Sequence, residues 1–180
     1  MRALIVLAGL LLLLPLDASA GGREDKLVVV DADGKQVGTV VGAMINQVTI
    51  ALSVNGRNVL LEVSLAVEAQ EFPNAGRLLP PIRGVGTLRF ESRDCSGPPF
   101  LSRSANRLLD WGAIAPPGLT LYLPEVSGAA PRRIAPNSYQ AYRDCWTLEQ
   151  PTTSGPYVPA VAIVDLLTLF TPPFRVVIVE

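Results

Sequence analysis

The chain has 180 residues, with 15 basic and 16 acidic side chains, a net charge of −1 and no histidine. The near-neutral charge disfavours a bulk electrostatic grip on nucleic acid. The lack of histidine excludes Ser–His–Asp and Cys–His catalysis and histidine-ligated metal sites, while 49% hydrophobic residues are enough for one globular core.

The N-terminal residues have the features of a secretory signal peptide. Arg2 forms a short basic region, an apolar run follows over residues 3–16, and small residues precede Gly21. The run of about 14 residues is shorter than the roughly 20 that a spanning helix requires, so we expect cleavage after Ala20 rather than an uncleaved anchor. The sequence therefore predicts a signal peptide over residues 1–20 and a single all-β domain over residues 21–180.

A β-hairpin is predicted soon after the expected cleavage site. Asp33 and Gly34 lie between two runs rich in β-branched residues, 27–30 and 36–41, which is a hairpin signal. The spacing of Asp31 and Asp33 also resembles the start of a calcium loop. Such a loop needs further oxygen ligands at set positions, which this stretch lacks, so we favour the turn.

The next hairpin has the clearest pattern in the chain. Apolar and polar residues alternate over residues 47–67, on both sides of Asn55-Gly56. These two residue types tolerate the positive φ angles that a type I′ turn requires. A two-residue loop would pair Val54 with Arg57 and bring the apolar faces of the two strands together.

The two cysteines are expected to form a disulfide. Alternation over residues 87–93 predicts a strand with one wet face, which ends at Cys95 and turns over residues 96–99. The partner would be Cys145, because two cysteines allow one pairing and exported proteins fold in oxidising surroundings; two buried thiols are the alternative. Closing a loop of about 50 residues stabilises a fold by about 4 kcal/mol in the chain-entropy model.

The C-terminal half is predicted to contain short strands separated by proline-rich turns. The strand over residues 138–146 would carry Cys145, and the strands over residues 158–164 and 174–179 are apolar on both faces, as in a sandwich interior. No stretch has the pattern of a long amphipathic helix. The predicted fold is all-β, an antiparallel β-sandwich or small barrel with one disulfide.

Candidate catalytic residues are limited to carboxylates. Six acids could supply the pair that a glycosidase needs: Glu62, Glu68, Glu91, Asp94, Asp110 and Asp144. Their spacing pairs no two of them. We therefore predict no catalytic residue, metal site or cofactor, and keep a carboxylate-dependent hydrolase of an envelope polysaccharide and a purely structural envelope component as alternatives.

Arginine and tyrosine supply the candidates for a ligand surface. Residues 72–109 contain six arginines against two acids, and arginine forks suit carboxylates, sulfates and phosphates; a scatter of solvated positions is the alternative. Five aromatic residues could form a sugar-stacking platform: Tyr122, Tyr139, Tyr142, Trp146 and Trp111. Of these, Trp146 is expected to pack on the disulfide, and Tyr139 and Tyr142 are the better candidates for exposure. The predicted ligand surface has two arginines and two tyrosines: Arg89, Arg93, Tyr139 and Tyr142.

Two motifs resemble a group of uncharacterised exported bacterial β-proteins. They are V-D-A-D-G-K-x-V-G at residues 30–38 and F-E-S-x-D-C-S-G-x-P-F at residues 90–100. The group combines a signal peptide, a D-x-D/N-G hairpin, a D-C-S/T-G-x-P turn and one further cysteine near the C-terminus. The resemblance implies a bacterial envelope or secreted location and carries no known catalytic or binding residues.

The expected function is binding. The sequence predicts an exported, disulfide-bonded module that works in the periplasm or outside the cell, with an anionic glycan or a protein partner as its ligand. Nucleic acid is not expected as a partner, and no transmembrane helix is expected after signal cleavage.

Overall fold

The computed structural model describes residues 25–65, 82–102, 110–125, 131–141, 144–150 and 156–179. Within these residues, fourteen strands form two seven-stranded sheets. In chain order the strands are β1 (Lys26–Val30), β2 (Gln36–Met44), β3 (Gln47–Val54), β4 (Arg57–Ser64), β5 (Ile82–Gly84), β6 (Leu88–Phe90), β7 (Phe100–Ser102), β8 (Asp110–Trp111), β9 (Ala113–Ala115), β10 (Thr120–Pro124), β11 (Ser138–Ala141), β12 (Asp144–Thr147), β13 (Tyr157–Asp165) and β14 (Arg175–Val179).

The first sheet, sheet A, has the strand order β14-β1-β2-β3-β4-β5, with the short strand β8 parallel to β4. Its other pairs are antiparallel. The predicted β3–β4 register is confirmed, since Val54 pairs with Arg57. Asn55 and Gly56 have φ angles of 50° and 74°, the positive values that a type I′ turn requires.

The second sheet, sheet B, has the order β12-β11-β6-β7-β13-β10-β9 and curls on itself. Inside the curl, Leu88, Phe90 and Leu101 pack with Ala113 and other small residues of β9 and β13. Because side chains alternate along a strand, the opposite face of β9 and β10 is free to pack on sheet A. The two sheets confirm the predicted all-β, antiparallel fold.

The larger core fills the space between sheet A and the β9–β10 end of sheet B. Ile50 and Leu61 of sheet A pack in one buried cluster with Leu121 and Leu123 of β10. Each of these side chains contributes about 1.5–3 kcal/mol relative to an exposed position. The cluster joins the two sheets through apolar contact.

Two predicted strands differ from their observed form. Residues 138–146, predicted as one strand, form the antiparallel pair β11 and β12, because the chain reverses after Ala141. Strand β14 was expected inside a sandwich but lies at the edge of sheet A, where Ile178 is exposed. Apolar residues on both faces therefore did not reveal the position of β14 in its sheet.

The predicted disulfide is confirmed. Cys95 and Cys145 are bonded, with their Cα atoms 5.8 Å apart. Strand β6 ends at Phe90 rather than continuing to Cys95, because residues 91–97 form a turn in which Cys95 has a φ of 57°. Asp94 and Ser96 hydrogen-bond to each other within this turn instead of extending the strand, so the turn begins earlier than the alternation predicted.

Several predictions concern residues outside the described ranges. These are the signal peptide over residues 1–20, Glu68 and Tyr142. The division into a signal peptide and a single domain over residues 21–180 stays a prediction. None of the helices in the described ranges is long and apolar enough to span a membrane.

Asp31 joins the first hairpin to the segment before β14. Its side chain is almost fully buried, and it accepts hydrogen bonds from the backbone N–H groups of Asp33 (3.0 Å), Lys35 (2.8 Å) and Thr171 (3.1 Å). Burial alone would raise the pKa of this carboxyl, but the three hydrogen bonds and the charge of Lys35 outweigh burial and lower the pKa. The carboxylate thus stabilises the hairpin turn predicted from the sequence.

We expect Asp31→Asn to lower Tm by about 5 °C, because the amide places a donor against a backbone N–H. The folded pKa of Asp31 lies below its ordinary value of 3.8. The contribution of the Asp31 carboxylate to the free energy of unfolding is therefore complete above that pH and is lost as the pH falls through the folded pKa. Thermal unfolding between about pH 7 and pH 2 measures both effects. Asp33→Asn is the exposed control, and equal Tm values for the two variants would contradict the assignment.

Candidate functional site

One face of sheet B carries an arginine, a tyrosine and a tryptophan side by side. Tyr139 on β11 is the direct cross-strand partner of both Trp146 on β12 and Arg89 on β6. Directly opposed residues of antiparallel strands point to the same face of a sheet. The three side chains therefore form a row across three neighbouring strands, which we call the Arg89–Tyr139–Trp146 ladder.

Stacking contacts hold the ladder together. The ring centroids of Tyr139 and Trp146 are 6.5 Å apart, with 12° between the ring planes, and the guanidinium carbon of Arg89 is 4.9 Å from the Tyr139 centroid. Both offset parallel rings and a cation over a ring are favourable arrangements. Tyr139 thus lies between a cation and an indole, and Trp146, on the edge strand β12, remains 52% exposed.

The disulfide lies on the opposite face of β12 from the ladder. Cys145 directly precedes Trp146, and successive residues of a strand point to opposite faces. Cys145 therefore faces Cys95, whereas Trp146 stacks on Tyr139. The expectation that Trp146 packs on the disulfide is therefore wrong, because the side chains of Cys145 and Trp146 point to opposite faces of the sheet.

Hydrogen bonds fasten the turn after β6 to the strands that carry the ladder. The fully buried Ser138 donates from Oγ to the carbonyl oxygen of Ser92 (2.8 Å) and accepts from the N–H of Cys95 (3.1 Å). On β12, Thr147 donates from Oγ1 to the carbonyl oxygen of Arg93 (2.8 Å). Together with the disulfide, these bonds fix β11 and β12 against the rest of sheet B.

Asp94 has a structural place in the same turn. Its carboxylate accepts hydrogen bonds from the hydroxyl (2.6 Å) and the backbone N–H (3.2 Å) of Ser96. These two bonds, followed by one from the Ser92 hydroxyl, lower the pKa of Asp94. A general acid must hold a proton near the working pH, so the lowered pKa argues against that role for Asp94.

Three other candidate acids pair with guanidinium groups rather than with a second acid. The pairs are Glu62 with Arg83 (3.6 Å), Glu91 with Arg132 (3.0 Å) and Asp110 with Arg57 (2.7 Å). Asp144 also has interactions of its own. Among the described residues, no group of three or more His, Cys, Asp or Glu side chains could hold a metal ion.

The structure brings together two of the four predicted ligand residues, Arg89 and Tyr139. Arg93 is exposed in the turn after β6, and no contact within the described ranges joins its side chain to the ladder. Trp146 is among the possible stacking residues in the sequence, but it is predicted to pack on the disulfide and is therefore absent from the predicted ligand surface. Its position next to Cys145 was the available signal, since a strand that turns Cys145 to one face must turn Trp146 to the other.

A second guanidinium lies beside the ladder. Arg89 is the cross-strand neighbour of Phe100 on β7, and the guanidinium carbon of Arg132 is 4.5 Å from the Phe100 ring centroid. Two backbone hydrogen bonds with Tyr157, both 2.9 Å, and the ion pair with Glu91 hold Arg132 there. Arg132 thus helps to cover the buried Phe100 and adds a positive charge beside the strand neighbour of Arg89.

Other surface features of the described residues lack an exposed ring beside a cation, since the ring of Phe170, over which the Lys35 ammonium lies, is buried. Met44 and Ile45 are exposed at the tip of the β2–β3 hairpin, and Leu27 and Ile178 are exposed neighbours on β1 and β14. Neither pair contains an aromatic ring. A shallow groove of about 470 Å³ on sheet A is lined by uncharged side chains.

Comparisons with protein-family models, curated proteins and solved structures find no match for this chain. The fold and the site define an all-β, disulfide-bonded protein with an aromatic and cationic row on one sheet face. The chemistry of that row is the basis for assigning a function.

Proposed function

We propose that this chain is an exported binding module that holds a glycan on the Arg89–Tyr139–Trp146 ladder. The observation that carries the proposal is the indole of Trp146, 52% exposed and stacked on Tyr139 at the edge of sheet B. Sugar rings present C–H groups that pack on flat aromatic faces through dispersion and apolar contact. A bound sugar would cover indole surface that water now contacts.

Export is supported by the predicted signal peptide over residues 1–20 and by the disulfide between Cys95 and Cys145, because disulfides persist in oxidising compartments. The resemblance to exported bacterial β-proteins implies the same location. The module would therefore work in the periplasm or outside the cell, where envelope and environmental glycans are within reach.

Binding accounts for the described acids better than hydrolysis does. A glycosidase needs two carboxyl groups on either side of the scissile bond, one of them able to donate a proton. Here Glu91 and Asp110 are paired with arginines, and Asp94 is hydrogen-bonded within a turn that lowers its pKa. The ladder, in contrast, offers an exposed ring without acid chemistry.

We expect Trp146→Ala to weaken glycan binding at least about ten-fold, because the substitution removes the exposed stacking ring. An array of neutral and acidic glycans, including peptidoglycan fragments and lipopolysaccharide, would be screened with the full chain purified with its disulfide formed. Titration calorimetry then gives the affinity of each variant. Trp111→Ala is the matched control, because Trp111 is 42% exposed but lies on β8 of sheet A.

Two outcomes would contradict the proposal. One is the absence of any bound glycan on the array, and the other is an equal loss of binding in the Trp146→Ala and Trp111→Ala variants. Either result would favour a protein partner, for which co-purification from the source cell envelope is the next experiment.

A further inference from the structure

We propose that the ligand of the Arg89–Tyr139–Trp146 ladder is an acidic glycan, whose carboxylate groups bind Arg89 and Arg132. This inference rests on the proposed function and names the ligand class of the same surface. It follows from the positions of Arg89 over the Tyr139 ring and of Arg132 over the Phe100 ring.

Arg89 is a half-buried cation that has no acid partner among the described residues. Its guanidinium lies over Tyr139, and its other cross-strand neighbour is the buried Phe100. The described arginines that do pair with carboxylates are Arg57, Arg83 and Arg132. A partly desolvated charge without a counter-ion is unfavourable. A ligand carboxylate would supply such a partner in the bidentate geometry that a guanidinium favours.

Arg132 can act as a second cation for the same ligand. Both side chains of its ion pair with Glu91 are exposed, at 54% and 53%, so the pair contributes little to stability. Arg132 can therefore exchange the Glu91 carboxylate for a ligand carboxylate. The backbone bonds to Tyr157 hold Arg132 over Phe100 without help from Glu91. One guanidinium, that of Arg89, thus lies over Tyr139, and a second, that of Arg132, lies over Phe100, the cross-strand neighbour of Arg89.

The order of the strands sets the order of the contacts. Strands β12, β11, β6 and β7 are successive neighbours, so the row from Trp146 to Phe100 spans three strand spacings, about 14 Å. Stacking rings come first along this row and cations follow. A short oligosaccharide lying across the strands would place one sugar on Trp146 and the acid group of a later unit at Arg89.

The net charge of the chain favours a ligand that is bound by a few arginines at short range rather than by long-range attraction to the whole protein. The net charge is −1, so the field of the protein does not draw polyanions in general to its surface. Attraction must therefore come from Arg89 and Arg132 at short range. This requirement fits a glycan with spaced carboxylates better than it fits nucleic acid, whose binding depends on many phosphate contacts.

Matched polymers separate the contribution of the acid group from that of the sugar. Polygalacturonate, alginate and hyaluronate would each be compared with their methyl-esterified forms, which keep the sugar backbone and lose the charge. The full, disulfide-bonded chain would carry Trp111→Phe, so that Trp146 alone reports binding by fluorescence. We expect at least one acid form to bind about ten-fold more tightly than its ester at low salt, and high salt to remove the difference.

Charge variants then assign the acid group to Arg89. Arg89→Gln is expected to weaken binding of the acid form about ten-fold more than binding of the ester, because both forms lose the stacking of Arg89 on Tyr139 but only the carboxylate loses a charged partner. Circular dichroism shows whether the variant is folded. Arg132→Gln should give a smaller loss, about three-fold, since Glu91 already shares that charge. Arg175→Gln removes the same charge from sheet A and should change neither form.

The outcomes distinguish a failure of this inference from a failure of the proposed function. Equal affinity for acid and ester forms, with calorimetry showing that Trp146→Ala weakens both, overturns the acidic-glycan inference and leaves the glycan-binding role intact. Preference for a sulfated polymer such as heparin over all carboxylated ones overturns the assignment to carboxylates. Absence of any Trp146-dependent glycan binding overturns the proposed function, and this inference with it.

Discussion

Replacing both cysteines, as in Cys95→Ser with Cys145→Ser, is expected to lower the free energy of unfolding by about 3–4 kcal/mol. The bond closes a loop with a sequence separation of 50, and its removal returns the entropy of that loop to the unfolded chain. For a domain of this size, the loss corresponds to a Tm decrease of roughly 10 °C. Urea unfolding of both proteins, followed by circular dichroism, measures the difference.

A second variant pair tests the local backbone at the disulfide. Cys95 has a φ of 57°, which costs a residue with a Cβ atom roughly 1 kcal/mol, whereas glycine adopts it freely. We therefore expect Cys95→Gly with Cys145→Ser to be about 1 kcal/mol more stable than the double serine variant. Reduced wild-type protein is the control and should match the serine variant. A serine variant as stable as the oxidised wild type would rule out the stabilising role.

Gly84→Ala is expected to destabilise the fold by about 3 kcal/mol or more. Gly84 ends β5 at the edge of sheet A, where this strand passes β9 of sheet B. A Cβ atom at this position would lie 2.5 Å from the Cα of Ala113 and 2.7 Å from the backbone nitrogen of Ile114, and it would also overlap the carbonyl oxygen of Gly112. Backbone atoms cannot rotate away as the end of a side chain can, so the sheets would have to separate locally.

Gly42→Ala is the matched control for this substitution. Gly42 lies on β2 of the same sheet, and the nearest atoms to an added Cβ belong to Thr49 at 3.7 Å, an ordinary van der Waals contact. We expect its free energy of unfolding to stay within about 0.5 kcal/mol of the wild-type value. Urea and thermal unfolding of the two variants decide the question. If the Gly84→Ala and Gly42→Ala variants are equally stable, the close approach of β5 and β9 does not exclude a Cβ atom at Gly84, and the prediction is wrong.

Features that depend on neighbours along the chain were predictable from the sequence. The β3–β4 register follows from Asn55-Gly56 and from the alternation around it, because a two-residue turn leaves one way to align its strands. The pairing of Cys95 with Cys145 followed because the chain has two cysteines and its predicted export favours oxidation. The all-β class followed from frequent turn residues and short alternating runs.

The place of β14 shows where local pattern stops being informative. Residues 176–179 are apolar on both faces, which is typical of an interior strand, yet β14 forms the edge of sheet A. The composition of a strand is visible in its own residues, but the strands that pair with it come from segments far away in the chain. Edge and interior strands therefore cannot be told apart by apolar content alone.

The candidate ligand surface depended on the tertiary structure for the same reason. A single strand over residues 138–146 would have placed Tyr139 and Trp146 about 23 Å apart, on opposite faces. The chain reversal after Ala141 instead makes them direct partners on one face, and β6 brings Arg89 to the other side of Tyr139. The sequence by itself determined the fold class, one hairpin register and the cysteine pairing, all of which rest on local geometry or on elimination. Only the tertiary structure decided which strands lie side by side, because strand order is chosen by pairing between distant segments.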